Sequence, residues 1–417
     1  MFVLALVIGL LTGSASWLLK WSVGSVSRVL THTFGAGGPD WFLLFLPVAG
    51  IALAVAFQKY VIRRDIANGV DRIRADLADG DYRLPASQVW SPLVASTFTL
   101  GFGGSAGSEG PIASTGAAIG SNMARLCGMK PQAVLILLGC GAGAGIAGIF
   151  KAPVGGVLFT LECLGLGLSS LMVLALFCSC LTSALTAYIL EGCTVDIPFA
   201  GVPAPLSARL LLVSAVLGLV CGVYSVYYSA VMSRVARWLH GMTGFRMRAL
   251  VSGVCLSVLV FLFPSLYGEG YGVLTHIVND EPAAVLAGSV LAGLGNMPGV
   301  LLLAAVMTVM LKCFATSLTN NGGGVAGDFA PTLFAGCFVG LAFGLGANAA
   351  FGLGLPAGNL ALFGMAGVMA GAVRAPLMAI FLTVEMTASY GFLLPVTLVA
   401  TVSYGVVWVA GRLRPTV

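Results

Sequence analysis

Apolar segments recur from one end of this chain to the other, and that recurrence restricts the fold more than any other feature. Runs such as Met1–Leu19, Trp41–Phe57, Leu210–Val231, Ala249–Phe263 and Gly299–Val309 leave little polar sequence between them. Only 8% of the 417 residues are charged and 59% are hydrophobic, too little charge to cover the surface of a soluble protein this long. The expected fold is an all-α, multi-spanning membrane protein. A spanning helix takes ~20 apolar residues. Several runs are shorter and carry Gly or Pro, which predicts many tilted and broken helices. The 57 glycines agree with this, because small residues let helix backbones approach closely in lipid. Met1–Leu19 has neither the basic start nor the cleavage site of a signal peptide, and reads as the first helix. The 10 cysteines are scattered through apolar runs with no CxxC pair, as small hydrophobes are. His32, His240 and His276 lie in or near polar connections without metal-ligand spacing, so no metal and no cofactor is expected.

Charge placement gives an orientation. The loop from Lys59 to Arg83 holds six basic residues beside five Asp, Arg234–Arg248 holds four Arg and no acid, and Arg412 and Arg414 lie near the C-terminus. The connection Glu191–Pro205 is acidic and has no Lys or Arg. The positive-inside rule puts the basic loops and the C-terminus in the cytoplasm and the acidic connection outside.

The chain also resembles itself. Gly103-Gly104-Ser105-Ala106-Gly107-Ser108-Glu109-Gly110-Pro111 reads like Gly323-Gly324-Val325-Ala326-Gly327-Asp328-Phe329-Ala330-Pro331, and each is followed by a Gly pair, Gly116/Gly120 and Gly336/Gly340. A second block, Ala147 to Pro153, matches Ala370 to Pro376, and each continues to a Thr-x-Glu ending in Glu162 or Glu385. Two ordered blocks at nearly one offset predict a duplication, with a first membrane repeat over 1–205 and a second over 206–417. Duplicated halves in a membrane protein point to a transporter with its site near the midplane.

The glycine turns suggest what such a site would hold. A turn that opens a helix leaves its first amides without internal partners, and the helix dipole adds partial positive charge. Such a terminus binds anions without a full cation that would retain the ion too tightly. Two turns, one per half, can aim at a shared centre. Five of the 15 acids sit amid apolar or glycine sequence: Glu109, Glu162, Glu269, Asp328 and Glu385. Intramembrane acids default to function. Glu109, inside its turn, can occupy the anion site as a tethered anion and swing away when protonated. Glu162 and Glu385 end matching segments and invite a structural role common to both halves. Asp328 is expected to offer its amide, with its side chain turned to water or another partner, and Glu269 to be a turn residue near a surface. Among other functions, an intramembrane protease would use Gly103-Gly104-Ser105-Ala106-Gly107 as a nucleophile turn, but no His lies in an apolar segment to serve it. An ion-coupled organic-solute transporter would want clustered acids and hydroxyls, whereas paired amide turns favour an anion.

At these residues the chain resembles the CLC family of chloride channels and chloride/proton exchangers. Gly107-Ser108-Glu109-Gly110-Pro111 is similar to the family's G-x-E-G-P signature, whose Glu is the outer gate. Gly327-Asp328-Phe329-Ala330-Pro331 is similar to its G-x-F-x-P signature, whose amides coordinate the central anion. Phe150-Lys151-Ala152-Pro153 and Glu385-Met386-Thr387 also fall where the family has similar segments. The resemblance implies inverted halves and a homodimer with one pore per subunit in a bacterial inner membrane; the soluble regulatory domain that some members append is not expected here. It implies gating by Glu109 and anion binding by Asn68, Gly69, Ser108, Gly110, Gly327, Asp328, Phe329 and Ala330. The chain departs from the family at three places. Ala67-Asn68-Gly69-Val70-Asp71 replaces G-S-G-I-P, so Asn68 stands for the anion-binding Ser, and chloride, fluoride and nitrate all fit. Cys163, beside Glu162, stands where exchangers carry an inner proton-accepting Glu, which argues against proton coupling. The family's C-terminal anion-binding Tyr has no counterpart before Val417.

Overall fold

The computed structural model describes residues 1–31, 41–64, 66, 69–78, 80, 82–167, 169–200, 205–289, 299–352 and 354–413. Apart from one bridge between Gly107 and Gly327, the named elements within them are helical. The first part of the chain forms α1 (Phe2–Thr31), α2 (Leu46–Ala56), α3 (Gly69–Ala78), α4 (Ser91–Gly101), α5 (Glu109–Leu126), α6 (Pro131–Phe150), α7 (Pro153–Glu162) and α8 (Ser170–Leu190). The second forms α9 (Ala208–His240), α10 (Phe245–Leu262), α11 (Tyr271–Val278), α12 (Val300–Asn321), α13 (Phe329–Phe351), α14 (Ala357–Val373), α15 (Pro376–Met386) and α16 (Leu393–Leu413). Among the described residues nine helical stretches are long and apolar enough to cross a membrane. The apolar helices α7, α14 and α15, of 10, 17 and 11 residues, are shorter. The chain is a multi-pass membrane protein made of full and broken helices.

The breaks follow from the sequence. Lys151 and Arg374 close α6 and α14 in the left-handed region, at φ 53° and 63°. Each is followed by an Ala and then a Pro that opens the next helix. A residue before Pro is pushed out of the helical region, and Pro fits the first helical turn, so the chain must stop and restart there.

Packing is organised around two close helix pairs. A Cβ on Gly116 of α5 would overlap the carbonyl oxygen of Gly141 on α6, and one on Gly120 that of Leu137. On α13, Gly336 and Gly340 lie in the same way against Gly364 and Leu360 of α14. Backbone contact of this kind is what small residues supply when lipid is as apolar as the partner helix. Around these pairs, α1 packs on α6 and α8 while α9 packs on α14 and α16. α6 and α13 are the spans most enclosed by protein. Outer faces such as Leu171, Leu174, Leu181 and Leu185 on α8 are left exposed, as a lipid-facing surface requires.

Candidate anion site

The two glycine turns meet, and a set of exchanged hydrogen bonds joins them. Gly104 N–H donates to Thr99 O at 2.8 Å and Gly324 N–H to Thr319 O at 3.0 Å. Each threonine hydroxyl then accepts from the other turn: Thr319 Oγ1 from Ser105 N–H and Thr99 Oγ1 from Val325 N–H, both at 3.0 Å. Gly107 and Gly327 pair their backbones in both directions, at 3.0 and 2.6 Å. The N-termini of α5 and α13 are thereby fixed side by side.

Glu109, 1% exposed, bridges the two. Its Oε1 accepts Ala330 N–H at 3.1 Å and also Phe329 N–H, so a carboxylate from one turn sits on the free amides of the other. Its Oε2 has no hydrogen-bond partner among the described residues. A Cβ on Gly107 or Gly327 would collide with this carboxylate, so glycine at both places is what lets it lie there. The Phe329 ring stands edge-on to Phe159, centroids 5.7 Å apart. A cavity of about 400 Å³ leads to Glu109, lined by Arg74, Tyr228, Asn320, Asp328 and Phe329 among others. Its Met232 and Ser233 come from the C-terminal end of α9, the end that carries Arg234, Arg237 and His240.

Of the residues expected at the site, Ser108, Glu109, Gly110, Gly327, Asp328, Phe329 and Ala330 are brought together. Gly69 opens α3, whose Val70 and Arg74 reach the same cavity. Asn68 lies outside the described residues. Two of the expected amide donors need correction. Gly327 N–H is committed to Gly107 O, because the two turns must pair to stay together. Ser108 N–H is committed to Glu269 Oε1 at 2.8 Å, and the Ser108 hydroxyl donates to the same oxygen at 2.6 Å. Glu269 is therefore a half-buried turn residue whose carboxylate is fixed on the α5 N-cap rather than turned to a surface. Asp328 is exposed on the cavity with its side chain held by Asn320 Nδ2.

Glu162 and Glu385 lie apart from the turns and cap each other's helices. Glu162 accepts Leu377 and Met378 N–H at 3.2 and 2.7 Å at the start of α15. Glu385 accepts Val154 and Gly155 N–H at 3.1 and 2.8 Å at the start of α7. Cys163 is buried, with its Sγ 3.8 Å from Met378 Sδ and its carbonyl accepting from Arg74 Nε. Sequence reasoning also missed Lys312, 0% exposed. Its Nζ donates to Ser105 Oγ at 2.8 Å and lies 4.4 Å from the Phe334 ring centroid. A lone Lys in the apolar run of α12 was the available signal. Thr99 and Thr319 carried none beyond their common place before the two turns.

The sequence model of the family described as voltage gated chloride channel matches residues 49–407. The chain belongs to that family, the CLC proteins. Two relatives are each 28% identical to it. One, from Ralstonia nicotianae, is named as a ClcB-like chloride channel protein; the match covers 93% of this chain and 87% of the relative. The other is the H(+)/Cl(-) exchange transporter ClcA of Klebsiella pneumoniae, with 94% and 82% covered. Among solved structures, a slow cyanobacterial Cl-/H+ antiporter superposes with a TM-score of 0.83 at 23% identity, over 98% of this chain and 94% of that one. A CLC-type fluoride/proton antiporter superposes with 0.79 at 23% identity, over 97% and 94%. The shared fold is thus the CLC fold, and the family's activity is anion transport.

Proposed function

We propose that this protein carries a small inorganic anion, chloride first, across the membrane along a path that the Glu109 carboxylate gates. The observation that supports the reading is the seat of that carboxylate on the Phe329 and Ala330 amides. Unpaired amides at a helix start bind anions, so Glu109 sits where an anion would, and its Oε2 is free to take a proton. Protonation removes the charge that favours the seat, and the side chain yields to the free ion. In wild-type protein reconstituted into liposomes, anion efflux should depend on pH. Glu109→Gln and Glu109→Ala should flatten that dependence and change the rate by roughly tenfold. A common rate and pH profile for wild type and both variants removes Glu109 from the gate.

A second reading is proton-coupled exchange of chloride, fluoride or nitrate. It is favoured by the unpartnered Glu109 oxygen and by relatives named as exchange transporters; Cys163 at the inner proton position argues against it. Asn68 would take part in choosing the anion. We further read residues 1–205 and 206–417 as inverted repeats, because Thr99 and Glu162 each accept amides of the second part while Thr319 and Glu385 accept the matching amides of the first. The protein would act as a homodimer in the inner membrane, with the basic loops and C-terminus cytoplasmic.

A further inference from the structure

The cavity reaches Glu109 from the side where α9 ends. Glu269 faces the other way. Besides Glu109 and Lys312, the charges that act on it are those of Lys20 of α1 and Asp196, members of a cluster in which Lys20 meets Asp196 at 2.6 Å and Glu191 at 3.6 Å, and Lys151 meets Asp196 at 3.0 Å. Glu269 stands between Gly268 and Gly270, both in the left-handed region at φ 62° and 80°, a backbone that L side chains rarely adopt. That loop delivers one carboxylate oxygen to both donors of Ser108.

We propose that Glu269 is a second gating carboxylate, in series with Glu109, which occupies the Ser108 amide and hydroxyl at the Asp196-side mouth of the path and must release them for an anion to pass. The inference rests on the anion-path reading above. Glu109 leaves the first turn to sit on amides of the second, and Glu269, from the second part of the chain, sits on donors of the first. Each imitates an anion at a helix start. The groups facing Glu269 are Ser108 and Glu109 of α5, Lys20 of α1, Asp196, Tyr271 of α11 and Lys312 of α12. Lys312 feels both Glu269 and Glu109. A third negative charge beside two carboxylates in a low-dielectric setting is repelled, so an entering anion favours the neutral form of one of them. The orphaned, buried Oε2 of Glu109 marks the inner of two positions where that neutralisation can occur, and Glu269 supplies the outer.

The test is anion efflux from liposomes holding Glu269→Gln, with pH varied only on the Asp196 side. The proposal expects flux at neutral pH on that side to rise about fivefold and the dependence on that side's pH to weaken, while the response to the opposite side's pH persists through Glu109. Ser108→Ala, which keeps the amide but loses the hydroxyl, should shift the same profile partway, and it serves if Glu269→Gln does not fold. A wild-type rate and wild-type pH profile in either folded variant overturns the proposal. If Glu269 only braced the loop, the melting temperature would fall with the pH profile unmoved, which also overturns it. Absence of anion flux from wild type and Glu109→Gln alike would sink the underlying reading instead.

Discussion

At the scale of single residues, the site depends on what is missing from two positions. Gly107 and Gly327 have no Cβ where the Glu109 carboxylate lies, so the carboxylate fits there only because both places are glycine. Gly107→Ala should push the carboxylate off the Phe329 and Ala330 amides. The variant should then behave like Glu109→Gln in flux, with a flattened pH profile, and should lose roughly 1–3 kcal/mol of stability to overpacking. A thermal melt and a liposome assay together check this; an unaltered pH profile would show that the close approach has no bearing on the gate. The seat of Glu109 was legible in the sequence, because a carboxylate inside a glycine–proline turn in apolar surroundings lies beside the unpaired amides that such a turn exposes. The contact of Glu269 with Ser108 was not. Gly-Glu-Gly reads as an ordinary turn until folding brings Ser108, 161 positions away, within reach.

At the scale of elements, helices are stitched by exchanged caps. The carboxylate that ends α7 satisfies the first amides of α15, and a carboxylate near the end of α15 satisfies those of α7. The first amides of a helix have no partner within it, so each exchanged carboxylate satisfies donors that the helix itself leaves open. Glu162→Ala or Glu385→Ala should each cost about 1–3 kcal/mol. The double variant should cost less than the sum if the two caps hold one shared helix pair. Melting of the purified variants in detergent reads this directly, and simple additivity would mean that the caps act independently. The equivalence of the two glutamates was visible as a repeated Thr-x-Glu. The exchange was not, since sequence similarity says which segments are alike and nothing about which of them touch. Helix limits were legible where Pro or Gly forced them, as at Ala152-Pro153 and Ala375-Pro376.

At the scale of the whole molecule, the surroundings of the two turns are asymmetric in charge. On one side of Glu109 a cavity opens beside the basic end of α9; beyond Ser108 and Glu269 lies the ion-paired cluster of Lys20, Lys151, Glu191 and Asp196. Cys163 is buried against Met378, and a thiol in such a place is a poor proton carrier near neutral pH. A chloride gradient across protein-bearing liposomes should therefore drive little or no uphill proton movement, and Cys163→Glu should increase it. Robust proton pumping by the wild type, measured with a pH electrode, would place the protein among exchangers that use another acid.

The sequence by itself determined the environment and the kind of ligand. Apolar runs with so little charge can persist only in lipid, and duplicated glycine-punctuated helix starts offer amides that favour an anion. Which amides remain free was decided by the tertiary structure. Gly327 spends its N–H on Gly107 and Ser108 spends its own on Glu269, while Phe329 and Ala330 give theirs to the Glu109 carboxylate. The reason is physical: every residue of the motif carries the same backbone donor, and only the approach of a distant acceptor distinguishes one from the next.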